Sequence, residues 1–316
     1  MMPDSSTLLD ESLSPTATVS TQPLTGVGDL SHLAWSAIID LALAEDLATG
    51  DVTSDATVSS TTIGRGTIIA KAAGIISGLD VAAAVFDRVD ATIAFRPSVA
   101  NGSRVEPDQG IASLQGPARS LLAAERVALN FLQHLSGIAT LTGRYVAAVA
   151  GTPVRIVDTR KTTPGLRPLE KVAVRHGGGH NHRYNLGDGV LIKDNHLAAV
   201  GGPDRVSRAV HLARQRVPHT LRIEVEVTNL EEVRQALAAA ADCILLDNMS
   251  IDGIKDAVQL VGGRALLEAS GNVTLATVRA IAETRVDLIS VGALTHSAPA
   301  LDLSLRFDLD VKDGPV

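Results

Sequence analysis

Basic side chains are concentrated in one stretch of the sequence, where their types and spacing suit the binding of a small polyanion. Eight of them fall between residues 155 and 193: Arg155, Arg160, Lys161, Arg167, Lys171, Arg175, Arg183 and Lys193. Only three acidic residues oppose them there, although the whole chain has a formal net charge of −7. A run of charge is often no more than a solvated face, so its meaning depends on the residues around it.

Polar or small residues follow six short apolar runs, and they form three chemical groups. The runs lie at 154–157, 190–192, 223–227, 243–246, 265–267 and 288–291. The first group is cationic (Arg160, Lys161, Arg183, Lys193), the second is acidic (Glu226, Asp247), and the third consists of the turns Ser270–Gly271–Asn272 and Gly292–Ala293. Because the carboxyl ends of parallel strands form one edge, six such ends in succession favour a binding site over a solvated face.

Each group suits a different part of a phosphorylated, acidic substrate. Arginine matches a carboxylate in a two-pronged geometry, and several cations around one pocket suit a di- or polyanion. Carboxylates such as Glu226 and Asp247 need a cation between them and a phosphate, and Mg²⁺ is the predicted one. The alternative is that both acids form ion pairs with neighbouring Arg and Lys. Backbone amides in the small-residue turns can approach a phosphate closely.

Three histidines in the Gly-rich segment allow a second interpretation. His176, His180 and His182 could indicate a zinc site. The arginines around them and the carboxylates elsewhere favour an anion pocket instead. A histidine beside an arginine can donate to a carboxylate without any metal.

The elements that must position these groups alternate between strand and helix after Gly151. Helical segments are predicted near 204–216, 230–241, 250–260 and 274–284, between the apolar runs. Buried strands alternating with helices indicate parallel βα units. A doubly wound sheet and a βα barrel both satisfy this pattern, and the spacing alone leaves the choice open.

The first part of the chain mixes helix and short strands, which predicts an α+β domain. A helix is predicted to begin near Ser31 with apolar positions at Leu33, Ile38, Leu41 and Leu43. A long helix is predicted from Gly116–Pro117 through Leu135, ending or kinking at Ser136–Gly137. Residues 1–29 are rich in Ser, Thr and Pro without an apolar period, which predicts a disordered tail.

Composition excludes several classes of protein. The chain has 316 residues, of which 45% are hydrophobic and 2% aromatic, so small aliphatic side chains must fill a large core. No apolar stretch reaches the roughly 18 residues of a membrane span, and the N-terminus has no signal-peptide pattern. The single cysteine, Cys243, cannot form an internal disulfide, so we expect a cytoplasmic location. The negative net charge argues against broad nucleic-acid binding.

Long segments of the sequence resemble the quinolinate phosphoribosyltransferase family, also called nicotinate-nucleotide pyrophosphorylase (carboxylating). The segments are EDLATGDVTS from Glu45, AERVALNFLQHLSGIAT from Ala124, DTRKTTPGLRPLEKVAVRHGGGHNHR from Asp158, LIKDNH from Leu191, EVEV from Glu224, LLDN from Leu245, EASGNVT from Glu268 and SVGALTHS from Ser290. The resemblance implies a small α+β N-terminal domain at 30–134. It also implies an incomplete α/β barrel of the type II phosphoribosyltransferase kind at 135–316, whose C-terminal segment packs back on the first domain. A homodimer with shared active sites is a further implication.

The resemblance also implies a role for each site residue. The residues that would bind quinolinate are Arg126, Thr159, Arg160, His182, Arg183 and Lys193. The resemblance gives His180 no role. The residues at the pyrophosphate and its Mg²⁺, which carry catalysis, are Lys161, Glu226 and Asp247, the two acids acting through substrate or water. The 5′-phosphate would lie against Ser270, Gly271, Asn272, Val291, Gly292 and Ala293.

The implied reaction joins quinolinate to phosphoribosyl pyrophosphate and releases pyrophosphate and CO₂, as a step of de novo NAD biosynthesis. Two alternatives stay open. One is a related phosphoribosyltransferase acting on nicotinate or another base, although the number of pocket cations favours the dicarboxylate. The other is a non-catalytic anion-binding protein, which would need neither Glu226 nor Asp247.

Overall fold

The computed structural model of the chain describes residues 31–309, which form a four-stranded sheet, a six-stranded sheet and a separate two-stranded pair. One long helix connects the four-stranded sheet to the six-stranded sheet. The predicted disordered tail, residues 1–29, lies outside the described residues. The elements before the long helix are α1 Ser31–Leu47, α2 Val52–Thr57, β1 Ile63–Ala70, β2 Gly74–Ile75, α3 Leu79–Val89, β3 Ala94–Pro97, β4 Arg104–Val105 and β5 Gly110–Pro117. They give the mixture of helix and short strands that the sequence predicts.

The first sheet contains a strand from the far end of the chain. Its order is β12-β1-β5-β3, where β12 is Leu303–Leu309. Strand β12 runs antiparallel to β1, with Ala70 opposite Leu303 and Gly64 opposite Leu309. The pairing ties the end of the chain to the N-terminal elements. A separate short pair, β2 with β4, is also antiparallel.

Helix α1 begins at Ser31 as predicted, but its buried stripe differs from the predicted one. Trp35, Ile39 and Leu43 are buried at a spacing of four residues, whereas Leu41 is 64% exposed. Residues four apart lie on one face of a helix, and that face packs against α3, α4 and α5. Leu41 follows Ile39 by two positions and therefore points away from the core.

The long helix α4 spans Ala118–Ala148, so the prediction that it ends at Ser136–Gly137 is wrong. Both residues serve close packing instead. A side chain at Gly137 would overlap the backbone of Pro299. The buried Ser136 hydroxyl accepts from the amide of Ser77 at 3.0 Å and donates to its carbonyl at 3.2 Å. Small residues in mid-helix therefore mark a tight contact here, not a break.

The second sheet is an incomplete barrel of six parallel strands. They are β6 Arg155–Val157, β7 Val190–Ile192, β8 Ile223–Val227, β9 Cys243–Asp247, β10 Leu266–Ser270 and β11 Leu288–Ser290. Their order in the sheet is β6-β11-β10-β9-β8-β7, with every pairing parallel. Successive strands β7 to β11 are neighbours and β6 lies beside β11, which is the cyclic order of a barrel open between β6 and β7. This order confirms the barrel and excludes the doubly wound sheet, whose strand order reverses.

Helices separate the barrel strands as the sequence predicts. They are α5 Arg167–His176, α6 Asp194–Val200, α7 Arg205–Arg216, α8 Leu230–Ala238, α9 Ile251–Val261, α10 Val278–Ala282 and α11 Ala293–His296. Isoleucine, valine, leucine and alanine dominate the continuous core beneath them. Within residues 31–309, no helix combines the length and the apolar character that crossing a membrane requires.

Candidate active site

A cavity of about 800 Å³ opens at the carboxyl ends of the barrel strands. It brings together every predicted site residue except Arg126: Thr159, Arg160, Lys161, His182, Arg183, Lys193, Glu226, Asp247, Ser270, Gly271, Asn272, Val291, Gly292 and Ala293. The volume falls within the range of about 300–1,000 Å³ that small-molecule sites occupy. The site residues predicted from sequence, apart from Arg126, therefore line a single cavity in the structure.

The register of the barrel strands explains why acidic and polar side chains face this cavity together. Glu226 pairs with Leu245 across β8 and β9, so Asp247, two residues further, points to the same side. Ser270 pairs directly with Asp247 across β9 and β10. Lys193 follows β7, and its Nζ lies 2.9 Å from Oε2 of Glu226. The sequence left open whether Glu226 and Asp247 bind a metal or form ion pairs, and in this structure Glu226 forms an ion pair.

Three cations in the cavity have no ion-pair partner among the described residues. They are Arg160, Lys161 and Arg183, and the Nε of Arg160 is buried without a hydrogen-bond partner. Burial, followed by the charge of Arg160, lowers the pKa of the Arg183 guanidinium. Grouped, partly desolvated cations repel each other, and an anionic ligand relieves that repulsion. This cluster supports the anion pocket.

The backbone that carries these cations is held at several points. Lys161 donates its amide to Oγ1 of Thr159 at 3.0 Å, and Oγ1 of Thr295 donates to the carbonyl of Lys161 at 2.7 Å. Arg167 at the start of α5 donates to Oγ1 of Thr162 at 2.9 Å and to the carbonyl of Arg160 at 3.4 Å. Such anchoring limits the entropy lost when a ligand binds.

His182 lies between two buried carboxylates at the base of the cavity. Its Nε2 is 3.2 Å from Oε2 of Glu224 and 3.5 Å from Oε2 of Glu268. Burial alone would lower the pKa of His182, but hydrogen bonds and charge from the two glutamates outweigh it and raise the pKa to about 10. The amide of Arg183 donates to Nδ1 at 2.7 Å, a bond that only the unprotonated nitrogen accepts. The neutral tautomer with its proton on Nε2 accepts this bond at Nδ1 and donates towards the glutamates. Protonation of Nδ1 removes the bond from the Arg183 amide and strengthens the attraction to the two carboxylates.

The predicted alternative of a three-histidine zinc site is not supported by the positions of these residues. His176 Nδ1 lies 2.8 Å from the hydroxyl of Ser77, and His180 forms a backbone bridge with Val157. Among the described residues, the group with ligand atoms close enough for a metal is His182, Glu224 and Glu268, within 4.8 Å of one another. In this structure the imidazole Nε2 faces the two carboxylates at 3.2 and 3.5 Å, which is the spacing of ion pairs.

The Mg²⁺ expectation is compatible with the donor set on β8 and β9. Glu226 and Asp247 offer oxygen ligands, lie on neighbouring strands and are both partly exposed to the cavity. Two carboxylates leave room for the water and phosphate oxygens that Mg²⁺ retains. Asp247 forms no ion pair among residues 31–309, although the side-chain amide of Asn248 donates to its Oδ2 at 2.9 Å.

The turn after β10 has a backbone that suits close approach of a phosphate. Gly271 has φ of +93° and Asn272 has φ of +48°, both in the left-handed region. A side chain at Gly271 would overlap the side chain of Asn248, which in turn accepts from Nδ2 of Asn272 at 3.0 Å. A side chain at Gly292 would approach Lys161 Cδ at 3.1 Å. Both glycines therefore keep the cavity open.

Arg126 lies apart from the other predicted site residues within this protomer. It is exposed on α4 and lines a separate cavity of about 210 Å³ together with Glu45, Asp46 and His134. It lies off the buried face of α4, on which Leu121, Leu129 and Leu132 are buried. The cavity lies where the sequence segments from Glu45 and Ala124 meet.

Several cavity residues were not predicted as site residues. They are Leu191, Leu245, Asn248, Glu268, Val273, Thr274, Ser290 and His296. All lie within or directly beside the segments that resemble the family, and that position was the feature of the sequence that could have identified them. The buried Glu224 and Glu268 could not be matched to His182 from sequence, because they lie 42 and 86 residues away from it.

Comparison with known proteins agrees with this geometry. Residues 51–136 match the family described as quinolinate phosphoribosyl transferase, N-terminal domain, and residues 138–306 match its C-terminal domain. A nicotinate-nucleotide pyrophosphorylase [carboxylating] of Mycobacterium leprae is 47% identical over 270 residues, covering 84% of this chain and 94% of the relative. The chloroplastic protein of that name from Oryza sativa is 43% identical over 293 residues, covering 87% of this chain and 78% of the relative.

The fold also matches a solved structure. The crystal structure of NadC from Streptococcus pyogenes superposes with a TM-score of 0.85 at 41% identity, covering 89% of this chain and 99% of the other. Sequence and fold thus agree over both parts of the described chain. The chain belongs to the quinolinate phosphoribosyltransferase family.

Proposed function

We propose that this protein is a quinolinate phosphoribosyltransferase, which converts quinolinate and phosphoribosyl pyrophosphate to nicotinate mononucleotide, pyrophosphate and CO₂ in NAD biosynthesis. The observation that carries the proposal is the cation cluster of Arg160, Lys161 and Arg183. These side chains share one cavity with the carboxylates of Glu226 and Asp247. A cavity that holds both cationic and acidic side chains suits one acidic aromatic substrate beside one phosphorylated sugar.

Cationic side chains would bind the two carboxylates of quinolinate. Arg160, His182, Arg183 and Lys193 supply the charge, and Thr159 lies beside them. Each charge-assisted hydrogen bond contributes about 1.5–3 kcal/mol. Three or four of them are sufficient for micromolar binding, which needs about 8 kcal/mol. The main task of these residues is to hold two anions together that repel each other in water.

The remaining cavity residues would bind the sugar and its phosphates. The turns at Ser270–Asn272 and Val291–Ala293 would hold the 5′-phosphate with backbone amides. Lys161 would neutralise the charge of the departing pyrophosphate. Glu226 and Asp247 would hold Mg²⁺, directly or through water, and favour positive charge at ribose C1. When bound, Mg²⁺ supplies charge neutralisation on the pyrophosphate.

The bond changes need no electron-sink cofactor. The bond from ribose C1 to pyrophosphate breaks, and the pyridine nitrogen forms the new bond to C1 and becomes quaternary. The adjacent carboxylate then leaves as CO₂, and its electron pair remains on the ring carbon beside the positive nitrogen. That carbon takes a proton from solvent. The chain contributes binding, orientation and charge at each stage.

A coupled assay of pyrophosphate release tests the proposal. We expect release with quinolinate, phosphoribosyl pyrophosphate and Mg²⁺ together, accompanied by CO₂ in equal amount. Faster release with nicotinate would instead support the related base-specific transferase. Binding of quinolinate without any pyrophosphate release would support the non-catalytic alternative, in which Glu226 and Asp247 have no task.

The proposal includes a homodimer, because Arg126 does not line the cavity of its own barrel. Its exposed position on α4 would let it reach the cavity of a second copy. The cytoplasmic location, which rests on the single cysteine, stays a prediction.

A further inference from the structure

A buried ion pair lies directly beneath the cavity and takes no part in the binding described so far. Asp158 and Lys171 are 0% and 1% exposed, and neither lines the cavity. Nζ of Lys171 donates to Oδ1 of Asp158. Asp158 directly follows β6, and Lys171 lies in the middle of α5.

Both members of the pair bind the backbone of one residue, His182. The amide of His182 donates to Oδ1 of Asp158 at 2.8 Å, and the carbonyl of His182 accepts from Nζ of Lys171 at 3.2 Å. The neighbouring Asn181 is held as well, since its Nδ2 donates to Oδ2 of Asp158 at 2.6 Å and to the carbonyl of Lys171 at 2.8 Å. Arg175 donates to the Oδ1 of Asn181 at 2.6 Å.

The backbone alone does not hold His182 in this position. A bridge between Val157 and His180 brings the segment alongside β6, with the His180 amide donating to the carbonyl of Ile156 at 2.9 Å. The bridge ends at His180. Beyond it, the hydrogen bonds that reach the backbone of His182 within the described chain come from Asp158 and Lys171.

Stability does not account for a charged pair at this depth. Removing two charges from water costs several kcal/mol for each ion, and apolar residues of similar volume are often at least as stabilising. Burial raises the pKa of Asp158 and lowers that of Lys171, so the surroundings oppose both charges. A pair retained against this cost has its best explanation in the geometry that it imposes.

We propose that the Asp158–Lys171 pair is a positioning device that sets the place of His182 in the quinolinate pocket. Because Asp158 directly precedes Thr159 and Arg160, the same pair fixes the spacing between two cation-bearing segments. Asp158 and Lys171 act through His182 and do not touch the substrate. The inference rests on the proposed role of His182 in binding quinolinate.

The test is the effect of Lys171→Met on the two substrates separately, measured with the full chain. Methionine keeps the length of the side chain and removes the donor. We expect the KM for quinolinate to rise about tenfold or more and the KM for phosphoribosyl pyrophosphate to stay within about twofold. Arg214→Met is the control, since it removes an ion pair with Asp242 at the opposite end of the barrel. The control should leave both KM values within about twofold.

A double-mutant cycle separates positioning from general damage. In a His182→Ala background, Lys171→Met should change the quinolinate KM by less than about twofold, because the residue that it positions is gone. An equal loss in both backgrounds, or an equal rise in both KM values, would overturn the inference. A quinolinate KM that rises in His182→Ala but not in Lys171→Met overturns the positioning role alone. An unchanged KM in His182→Ala overturns the proposed role of His182 and this inference with it.

A second variant covers the case in which Lys171→Met does not fold. Asp158→Asn combined with Lys171→Met leaves no unpaired buried charge and removes the donor to the carbonyl of His182. We expect the same selective rise in the quinolinate KM. Wild-type KM values for both substrates in this double variant would overturn the inference.

Discussion

Individual side chains give the cavity a cationic group, Arg160, Lys161, Arg183 and Lys193, and an acidic group, Glu226 and Asp247. Arg160, Lys161 and Arg183 lack ion-pair partners among the described residues, whereas Lys193 contacts Glu226 at 2.9 Å. The three cations without ion-pair partners can each bind an anionic group of a ligand. Lys193 and Glu226 form the ion pair between the basic and the acidic groups. Substitutions in the two groups should therefore have different kinetic effects.

In the acidic group, Glu226→Ala and Asp247→Ala should each abolish most turnover and leave quinolinate binding nearly intact. Both carboxylates face the metal and sugar in the proposed arrangement, so their loss affects the transition state more than the pyridine. Turnover at saturating Mg²⁺ and calorimetric quinolinate binding measure the two effects. Near-normal turnover in either variant would refute the metal-anchor role of that residue.

In the cationic group, Arg183→Ala and Lys193→Ala should weaken quinolinate binding by about 1.5–3 kcal/mol each. Each loses one charge-assisted contact to a carboxylate of the ligand. Lys255→Ala is the matched control, because Lys255 forms an exposed ion pair with Asp252 on α9. Unchanged quinolinate affinity in both cavity variants would remove these residues from the pocket.

The two glutamates should keep His182 protonated through the neutral pH range, and this protonation removes the hydrogen bond from the amide of Arg183 to Nδ1. The folded pKa of His182, about 10, lies above the ordinary 6.5, so proton binding stabilises the folded protein fully below pH 6.5. This contribution is lost as the pH rises towards 10. Histidine NMR should show no titration of His182 between about pH 6 and 8.5, and Glu268→Gln should lower its pKa. A midpoint near 6.5 in the unaltered protein would contradict the prediction.

At the scale of elements, the strand ends and the turns after them present the side chains. Register across β8, β9 and β10 directs Glu226, Asp247 and Ser270 to one side. Left-handed backbone at Gly271 and Asn272 then turns the chain under the cavity. The conformation of this turn therefore depends on a residue without a side chain at Gly271.

Gly271→Ala should raise the KM for phosphoribosyl pyrophosphate about tenfold and leave quinolinate affinity unchanged. The new side chain would displace Asn248 and strain a backbone with φ of +93°. Gly263→Ala is the control, because Gly263 has φ of +76° but no neighbouring atom within 4 Å of the added carbon. The control carries the backbone strain without the displacement. Equal kinetic effects in both variants would argue against a phosphate role for the turn.

At the scale of the whole molecule, one predicted site residue is separated from all the others. Arg126 lies exposed on α4, beside a second cavity that the acidic residues Glu45 and Asp46 also line. If each active site takes Arg126 from a partner, two variants with little activity should complement each other. This is the arrangement proposed for the homodimer.

At quinolinate concentrations well below the KM of the variants, Arg126→Ala and Lys193→Ala should each have little activity alone and regain activity when mixed under conditions of subunit exchange. In a mixed dimer, one site carries both changes and the other carries neither. With random two-fold pairing, about a quarter of all sites should be restored. No recovery, despite mixed dimers demonstrated by mass spectrometry, would mean that Arg126 acts within its own subunit or has no role.

The amino-acid sequence by itself determined the chemistry and the local elements. The apolar runs predicted all six barrel strands to within a few residues, because buried strands leave a continuous signal in the chain. The residues after these runs predicted most of the cavity lining, because parallel strands present their carboxyl ends at one edge. Resemblance to a family then assigned a role to each residue. None of these steps required knowledge of distant contacts.

Tertiary structure decided what depends on contacts between distant parts of the chain. Barrel and doubly wound sheet share one local pattern, and only the pairing of β6 with β11 separates them. Ser136–Gly137 looks like a helix break in sequence, but the approach of Pro299 makes it a packing contact. The carboxylates around His182 and the lysine beneath it come from separate elements. Spacing along a chain encodes neighbours in the same element, whereas partners across the barrel are set by how the elements pack.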